Sequence, residues 1–177
     1  MARYARGDVG AFESLYRRHE LRIWRYLQRN VRNRATADEL LQEVWFAVAR
    51  DATRYRPTAK FTSWLYSIAH HRMIDSIRAG RPHASLESLM QASALPGLAA
   101  DAGAGPLAQV VALDEMDAML DAISSLPQDQ REAFLLQVEG DLSVEEIATI
   151  TNTSFETAKS RLRYARSKLR ELLKEHA

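Results

Sequence analysis

The chain has 177 residues, 46% of them hydrophobic and 27% charged, a composition typical of folded domains rather than disordered chains. It contains no cysteine, which excludes disulfides, zinc–thiolate sites and thiol redox switches within the chain. No apolar run approaches the roughly 20 residues needed to cross a bilayer, and the first residues lack the apolar stretch of a secretory signal. We therefore expect a cytoplasmic protein that makes no membrane contact of its own.

Charge is distributed unevenly along the chain, although the formal net charge is only +1. Residues 1–80 carry 15 basic and 8 acidic side chains, residues 114–156 carry 1 and 11, and residues 157–177 carry 7 and 2. Two basic zones separated by an acidic zone indicate two anion-binding surfaces, for which nucleic acid is the natural ligand. Solvated faces of ordinary helices would give the same charges, so this pattern alone leaves both interpretations open.

Helical periodicity dominates the first eighty residues. The first predicted helix has apolar residues at helical spacing, namely Phe12, Leu15, Tyr16, Ile23, Tyr26 and Leu27. Thr36 and Glu39 form a capping-box pattern that predicts the start of a second helix, whose core face is Leu40, Leu41, Val44, Trp45 and Val48. A third helix is predicted from about residue 61 to 79, with Gly80 at its C-cap and an inward face of Trp64, Leu65, Ile68 and Ile77.

Residues 81–113 differ in composition from both flanking segments. They are rich in small residues, interrupted by glycine and proline and almost uncharged, which predicts a flexible linker with little structure of its own. A connection of this length is unusual inside one compact domain. We therefore expect two domains, residues 1–80 and residues 114–177.

The second domain is also predicted to be helical. Helices are expected over about 114–125, from Pro127 to Gly140, over Val144–Ile150 behind a Ser143–Glu146 capping box, and over about 155–175 behind Ser154. Between the last two helices, Asn152 is suited to the left-handed conformation of a tight turn. No strand-like alternation of useful length is present. The predicted fold class is all-α, with a helical bundle and a helix-turn-helix domain joined by the linker.

The last two helices and their turn form a helix-turn-helix pattern. An apolar stripe of the last helix would pack inward, and it comprises Ala158, Leu162, Ala165, Leu169 and Leu172. A separate line of basic residues, beside which Ser160 and Tyr164 lie, comprises Lys159, Arg163, Arg166 and Arg170. Such a helix fits the major groove of DNA, with its first residues at base edges and its later arginines on phosphates. The capping box, the turn and the one-sided basic stripe occur together, and this favours DNA binding over a terminal helix whose basic residues are merely solvated.

The second helix has an unusual polar face opposite its core stripe. It consists of Glu39, Gln42, Glu43 and Phe46, which recur at helical spacing. Carboxylates beside an exposed aromatic ring are typical of a surface that docks another protein. Paired carboxylates also occur in acid–base and metal sites, but neither a pocket-forming histidine nor a nucleophile accompanies these, which ranks catalysis low.

Cations and rings alternate between residues 54 and 78. Cations can hold a phosphate backbone and rings can stack on unpaired bases, a composition that suits single-stranded DNA: Arg54, Tyr55, Arg56, Lys60, Phe61, Trp64, Tyr66, His70, His71, Arg72 and Arg78. Several of the rings must belong to the core, above all Trp64, which shares the inward side with Leu65 and Ile68. His70 and His71 point about 100° apart and no cysteine or carboxylate cluster completes a shell, so neither a metal nor another cofactor is expected.

These motifs together resemble one family, the extracytoplasmic-function (ECF) sigma factors of RNA polymerase. The segments that resemble its conserved region 2, including the polymerase-docking helix and the helix that recognises the promoter −10 element, are residues 7–16, 38–45, 61–69 and 73–78. The segments that resemble its region 4, including the −35 recognition helix, are residues 126–134, 142–148 and 157–166. The resemblance covers about residues 8–80 and 117–175, with the motifs in the family's order.

The resemblance implies a non-enzymatic subunit that brings the RNA polymerase core to specific promoters and aids initiation. It implies contacts with the β′ clamp helices, and with the β subunit, for a docking face comprising Asp38, Glu39, Gln42, Glu43 and Phe46. It implies contacts with the melted −10 element for Arg54, Arg56, Lys60, Phe61, Trp64, His71, Arg72 and Arg78. It implies contacts with the duplex −35 element for Thr157, Lys159, Ser160, Arg161, Arg163, Tyr164 and Arg166. The linker would thread towards the active-site cleft and RNA exit path of the core enzyme, which performs the chemistry.

Two positions depart from the family pattern. Asparagine is often found where His71 stands, near the flipped −10 base, and glycine is common where Asn152 forms the turn. Histidine can also donate and accept, but its shape and charge differ, so the −10 base preference stays open. An anti-sigma factor usually holds such proteins inactive, and we expect one here because Phe46 and the docking carboxylates are exposed. Any thiol-based sensing would then reside in that partner, because this chain has no cysteine.

Two alternatives stay open on the sequence. A stand-alone helix-turn-helix regulator would bind duplex DNA tightly by itself, whereas a sigma factor would bind weakly and salt-sensitively until core polymerase is present. A metal-dependent helical enzyme would retain stoichiometric metal on the residues Glu39, Glu43, His70 and His71. Neither alternative explains why both halves of the chain resemble the same family in order.

Overall fold

The computed structural model describes residues 1–80 and 106–174, and for residues 106–114 their backbone alone. The helices in these ranges are α1 Val9–Val31, α2 Arg34–Arg50, α3 Phe61–Arg78, α4 Pro106–Ser125, α5 Gln128–Gly140, α6 Val144–Ile150 and α7 Phe155–Lys174. Short 3-10 turns, Tyr4–Arg6 and Ala52–Arg54, precede α1 and follow α2. The described part of the chain contains no strand, and the all-α prediction is confirmed. None of the helices in these ranges is long and apolar enough to span a membrane.

Helices α1, α2 and α3 form a three-helix bundle. Its fully buried side chains come from all three helices and include Ile23, Tyr26, Leu27, Leu40, Val44, Leu65, Tyr66 and Met73. The residues of the predicted inward faces that are buried are Ile23, Tyr26, Leu27, Leu40, Val44, Trp45, Val48 and Leu65. The others are only partly buried, namely Phe12, Leu15, Tyr16, Leu41, Trp64, Ile68 and Ile77. In α3 the buried face is formed instead by Leu65, Tyr66, Ala69 and Met73. Leu41 and Trp64 line surface clefts.

The predicted start of α2 is wrong by three residues. Asn33 is the N-cap, and its side chain accepts a hydrogen bond of 3.0 Å from the backbone N–H of Thr36. Arg32 has a left-handed backbone, φ 56°, that ends α1 and turns the chain directly into α2. Asparagine caps at least as well as threonine, and this tight turn places it first. Glu39 therefore lies in the second turn of α2 rather than at its N3 position.

The second domain consists of α4 to α7, with α5 and α7 packed on each other. Helix α4 begins at Pro106, eight residues before the predicted start. Proline interrupts a helix but also suits its first position, and Pro106 stands at that position here. The preceding residues of the predicted linker, 81–105, lie outside the described residues. Helix α5 begins at Gln128, with Pro127 as N-cap, one residue later than predicted.

The local geometry of the helix-turn-helix is confirmed. The Ser143 hydroxyl accepts from the Glu146 N–H at 3.3 Å, and the Glu146 carboxylate accepts from the Ser143 N–H at 2.8 Å, so the capping box is complete. Asn152 has the left-handed backbone expected of the turn, with φ 51°. Ser154 caps α7 by accepting a hydrogen bond of 3.1 Å from the Thr157 N–H.

The two domains lie against each other. Helix α1 contacts α5, and α3 contacts both α5 and α6. Buried apolar residues of both domains belong to one continuous core, in which the domains meet between the rings of Tyr26 and Tyr66 on one side and α5 on the other. This arrangement determines which of the predicted surfaces face solvent.

Candidate protein-docking and nucleic-acid interfaces

The polar face of α2 lies opposite the buried stripe of that helix. Glu39, Gln42 and Phe46 are exposed, and Glu43 is half-buried. Phe46 has 74% of its surface accessible, an unusual exposure for a large apolar ring. Asp38 is also exposed, and its carboxylate accepts a hydrogen bond of 2.7 Å from the Trp24 indole N–H. The docking face predicted from sequence is therefore one continuous surface.

An apolar cleft of about 360 Å³ opens beside Phe46. Its lining residues come from α1 and α2, and they are Phe12, Tyr16, Leu41, Gln42, Trp45, Phe46 and Ala49. Trp45 packs between Phe12 and Tyr16, with ring centroids 5.7 Å and 5.0 Å apart. The Tyr16 hydroxyl donates to Glu20 at 2.8 Å, and burial together with that carboxylate raises the pKa of Tyr16 to about 12. The packed rings thus form an apolar cleft on the surface, which the sequence did not indicate.

The basic and aromatic stretch from Arg54 to Arg78, in α3 and the loop before it, divides into an outer, exposed set and a half-buried set. Arg54, Arg56, Lys60, His71 and Arg78 are exposed, whereas Phe61, Trp64 and Arg72 are half-buried. Tyr55, Phe61 and Trp64 form a cluster, in which the Tyr55–Trp64 centroids are 5.0 Å apart and the Phe61–Trp64 centroids 5.9 Å apart. Each ring thus packs partly on another ring and keeps one edge near the surface. The outer set forms the candidate single-stranded DNA surface.

The ring of His71 has a defined orientation. Its Nδ1 atom lies 2.6 Å from the carbonyl oxygen of Ser67. A carbonyl oxygen only accepts hydrogen bonds, so Nδ1 carries a proton and donates it. In the neutral ring, Nε2 is then a hydrogen-bond acceptor on the exposed side of α3. The amide of an asparagine at this position could both accept and donate a hydrogen bond.

Two further side chains of α3, Tyr66 and His70, face the second domain. Tyr66 is buried, and His70 Nδ1 lies 2.5 Å from a carboxylate oxygen of Glu132 in α5. Adjacent residues His70 and His71 therefore have different surroundings, as their helical positions require. Among the residues that the structure describes, no group of three or more histidine, aspartate or glutamate side chains could hold a metal ion.

Helix α7 presents the predicted basic surface. Its exposed members are Thr157, Lys159, Arg163, Tyr164 and Arg166, opposite the buried residues Ala158, Leu162, Ala165 and Leu169. The Arg163 guanidinium lies over the Tyr164 ring, 4.9 Å from its centroid, and the two form an exposed cation–π pair. Such a pair can stack on, or hydrogen-bond to, an accessible base edge.

Arg161 and Ser160 differ from this exposed set. Both are half-buried, and the Arg161 guanidinium forms an ion pair with Asp129 at the start of α5. Arg166 is exposed but donates to the side chain of Gln137, also in α5. Arg161 therefore fixes α7 to its own domain in this structure, which its place in the sequence motif did not reveal.

Comparison with known proteins agrees with this architecture. Residues 15–82 match sigma-70 region 2, and residues 116–169 match sigma-70 region 4. The chain is 35% identical over 175 residues to the RNA polymerase sigma factor CarQ of Myxococcus xanthus, covering 99% of this chain and 96% of the relative. It is 30% identical over 161 residues to the ECF RNA polymerase sigma factor SigK of Mycobacterium sp. (strain KMS), covering 90% and 81%.

A solved structure shares the fold. It is the sigma factor RpoE in complex with the anti-sigma factor NepR from Bartonella quintana, with a TM-score of 0.69, 20% identity, and coverage of 94% of this chain and 98% of that one. A helical bundle that matches sigma-70 region 2, followed by a helix-turn-helix domain that matches region 4, defines a sigma-70-type transcription initiation factor. Within that class, the chain belongs to the ECF RNA polymerase sigma factors. This confirms the resemblance and favours the sigma interpretation over the stand-alone regulator.

Proposed function

We propose that this sigma factor binds core polymerase through the polar face of α2 and the apolar cleft beside it. The observation that carries the proposal is the 74% exposure of Phe46 at the edge of an apolar cleft, on the helix that also carries Asp38, Glu39 and Glu43. A helical partner with one apolar side chain and flanking basic residues would fill the cleft and pair with Asp38, Glu39 and Glu43. The β′ clamp helices are the proposed partner, with the β subunit contacting other parts of the chain.

The proposed −10 surface is the outer set of α3 and the loop before it. Exposed cations would hold the phosphates of the separated strand, while the half-buried rings Phe61 and Trp64 would present edges and faces to flipped bases. His71 would contribute an acceptor at Nε2, and Arg72 and Arg78 would extend the basic track along α3. Capture of unpaired bases would favour the melted state of the promoter over the duplex.

The proposed −35 surface is the exposed line of α7. Thr157 and Lys159 stand at its N-terminal end, where a recognition helix approaches base edges most closely. Arg163, Tyr164 and Arg166 follow one turn later and would bind phosphates or a base edge. Ser160 and Arg161 would act from the half-buried flank, mainly by holding α7 in place.

Three further properties complete the proposal. The chain catalyses no reaction of its own, because a sigma factor supplies selectivity and melting to an enzyme that performs the chemistry. It works in the cytoplasm, where its polymerase partner and its promoters are. An anti-sigma factor covers the docking face in uninduced cells, a proposal supported by exposed Phe46 and by the anti-sigma complex of the similar sigma factor RpoE. Isolation of the native protein only free or polymerase-bound in uninduced cells would contradict this last proposal.

The decisive experiment is run-off transcription with bacterial core polymerase and fragmented DNA of the source genome. Discrete starts that share upstream −35 and −10 sequences are expected, and Phe46→Glu should abolish them. Val9→Glu is the matched control, because Val9 is equally exposed, at 73%, but lies at the start of α1. Absence of protein-dependent transcripts, together with failure to co-elute with core polymerase, would leave a stand-alone DNA-binding regulator.

A further inference from the structure

Four arginines form a line along one side of α1. Their intervals of four, three and four residues place them on the same side of the helix, and they are Arg18, Arg22, Arg25 and Arg29. The structure divides this line into two halves. Arg25 and Arg29 are half-buried and donate to the Glu139 carboxylate of α5, at 3.0 Å and 2.7 Å. Helix α5 therefore neutralises one half of the line.

The other half of the line, Arg18 and Arg22, is exposed. Neither side chain forms a hydrogen bond or an ion pair with any residue that the structure describes. The preceding residue, Arg17, is also exposed, but it pairs with Glu13 at 2.6 Å. Like charges four residues apart destabilise a helix, so the folding of α1 gives no reason for the pair of arginines. Both guanidinium groups are therefore available to an anionic ligand.

The ring of His19 connects these arginines to the proposed −10 surface. His19 is half-buried, and its ring centroid lies 5.5 Å from that of Phe61 at the start of α3. Burial lowers the pKa of His19, and the charges of Arg18 and Arg22 lower it further, so both cations act on this ring. Phe61 contacts Trp64 in turn, with 5.9 Å between the centroids. A row of rings therefore runs from the arginines of α1 into the proposed −10 surface.

Exposed cations beside a row of rings match the chemistry of single-stranded DNA. A guanidinium group can bind phosphate through two hydrogen bonds, and rings accept the faces of unpaired bases. Arg18 and Arg22 are about 6 Å apart along the helix axis, which is close to the separation of successive phosphates in an extended strand. A duplex offers no free base faces to the rings, so the arrangement favours the separated strand.

We propose that Arg18 and Arg22 form a phosphate-binding surface that extends the −10 surface onto α1 and holds the backbone of the separated strand next to the bases on α3. The proposal rests on the proposed −10 function, because the strand reaches α1 only if it lies across Phe61. It gives α1 a part in promoter melting in addition to its place in the core. Every phosphate that α1 holds in the separated strand favours the melted promoter over the duplex.

A salt titration of single-stranded DNA binding to the full chain tests this role. The probe is a fluorescein-labelled single strand of random sequence, and fluorescence anisotropy measures its affinity. Each phosphate contact adds about 0.7 to the slope of log affinity against log salt concentration. Arg18→Gln and Arg22→Gln should each lower the slope by about this amount, and the double variant by about 1.4. The double variant should therefore bind about 25-fold more weakly than the wild type at about 0.1 M salt.

Arg17→Gln is the matched control, because it removes the same charge from the adjacent residue of α1, where Glu13 already pairs with it. It should change the slope much less than either single substitution. Arg22→Lys keeps the cation and should keep the slope of the wild type, which a merely structural role of the guanidinium group would not predict. Circular dichroism checks the helix content of every variant. If the double variant loses helix content, the single substitutions carry the test.

Wild-type slope and affinity in the double variant would overturn the proposal. Lys60→Gln distinguishes this result from a failure of the −10 function, because Lys60 is an exposed cation of the −10 surface itself. If Lys60→Gln weakens binding and the double variant does not, the strand lies on α3 but not on α1. If neither weakens binding, the −10 surface itself is wrongly assigned.

A duplex of the same sequence tests the choice of ligand. The double variant should bind this duplex as tightly as the wild type, because the duplex-binding surface is on α7. An equal loss of affinity for duplex and single strand would assign the two arginines to general DNA binding and overturn the preference for the separated strand. Absence of any single-strand binding by the wild type at about 0.1 mM protein, the weak end of non-specific affinities, would also overturn the proposal.

Discussion

The Trp24 indole donates its only hydrogen bond to the carboxylate of Asp38, at 2.7 Å, and so connects α1 to the docking face on α2. Both residues line a cleft of about 330 Å³ with Arg34 and Leu41. The direction of the Asp38 carboxylate is therefore set by a residue 14 positions earlier in the chain. Trp24 is a positioning residue of the proposed polymerase interface.

Replacement of Trp24 by phenylalanine removes the indole N–H and keeps an aromatic ring. We expect affinity for core polymerase to fall about fivefold, which corresponds to one hydrogen bond of about 1 kcal/mol. Asp38→Asn, which retains an acceptor but loses the charge, should weaken binding by a comparable factor. Fluorescence anisotropy of labelled protein titrated with core polymerase measures both, with Asp121→Asn on the exposed side of α4 as control. Wild-type affinity of Trp24→Phe at unchanged thermal stability would remove the positioning role.

The exposed faces of α2 and α7 were predictable because helical periodicity assigns every residue of a helix to a face. Phe46 stands opposite the buried residues Leu40, Val44 and Val48, and Arg163 lies outside the buried stripe of α7. Arg161 is on the same helix and was assigned to the same surface. Its ion pair with Asp129 arises from a residue 32 positions away, which no pattern within the helix could indicate.

The salt dependence of promoter binding should distinguish the two arginines of α7. Arg163→Ala removes an exposed cation and should reduce the slope of log affinity against log salt concentration by about 1. Arg161→Ala removes a cation that Asp129 already neutralises, so the slope should change by much less. The measurement is a salt titration of the polymerase complex on duplex −35 DNA taken from the run-off promoters. Equal effects of both substitutions would mean that Arg161 leaves Asp129 and binds phosphate.

Two capping boxes of the same form had different outcomes. Ser143 and Glu146 are realised as predicted, because Asp141 ends α5 in a left-handed conformation and Ser143 is the next strong N-cap candidate. The Thr36 pattern is not realised, because Asn33 precedes it and caps α2 first. A local motif thus predicts a helix start only where no competing cap lies within one turn before it.

Removal of the confirmed cap should lower the stability of the helix-turn-helix domain. Ser143→Ala deprives the Glu146 N–H of its acceptor, and we expect a loss of about 1 kcal/mol in the free energy of unfolding. Ser167→Ala, an exposed serine within α7, is the matched control and should change stability little. Urea denaturation followed by circular dichroism measures both variants. A Ser143→Ala protein as stable as the control would show that the capping box contributes nothing.

The contact between the domains was not predictable from periodicity. Glu132 and Glu139 share a face of α5, and their partners are distant in sequence: Arg25 and Arg29 for Glu139, Tyr26 and His70 for Glu132. Charged residues at helical spacing are usually solvated, and these two carboxylates are buried because hydrogen-bond donors from the first domain meet them. The pairing is a property of the tertiary structure, and the acidic composition of the second domain was only an indirect sign of it.

The Glu146 carboxylate of α6 accepts a hydrogen bond of 2.6 Å from the Ser63 hydroxyl and lies 3.6 Å from the Lys60 ammonium group, and this contact should make the free energy of unfolding depend on pH in a defined interval. Although partial burial opposes the effect, hydrogen bonds from Ser63 and the Ser143 N–H, with the charge of Lys60, lower the pKa of Glu146 below its ordinary value of 4.5. A carboxylate with a depressed pKa stabilises the folded state above its unfolded-state pKa, and this contribution disappears as pH falls through the folded-state pKa. The wild type should therefore be more stable than Glu146→Gln at pH 7, and the difference should vanish in acid below the ordinary value. Urea unfolding of both proteins between pH 7 and pH 3 measures it.

Ser63→Ala tests the cause of that dependence. It removes one donor to Glu146 and so raises the folded-state pKa towards the ordinary value of 4.5; the loss of stability on acidification should therefore be smaller, and complete at a higher pH, than in the wild type. The same variant leaves the capping box intact, because Ser143 still donates its N–H to the Glu146 carboxylate. An identical pH profile in Ser63→Ala and wild type would assign the lowered pKa of Glu146 to the capping box and to the charge of Lys60.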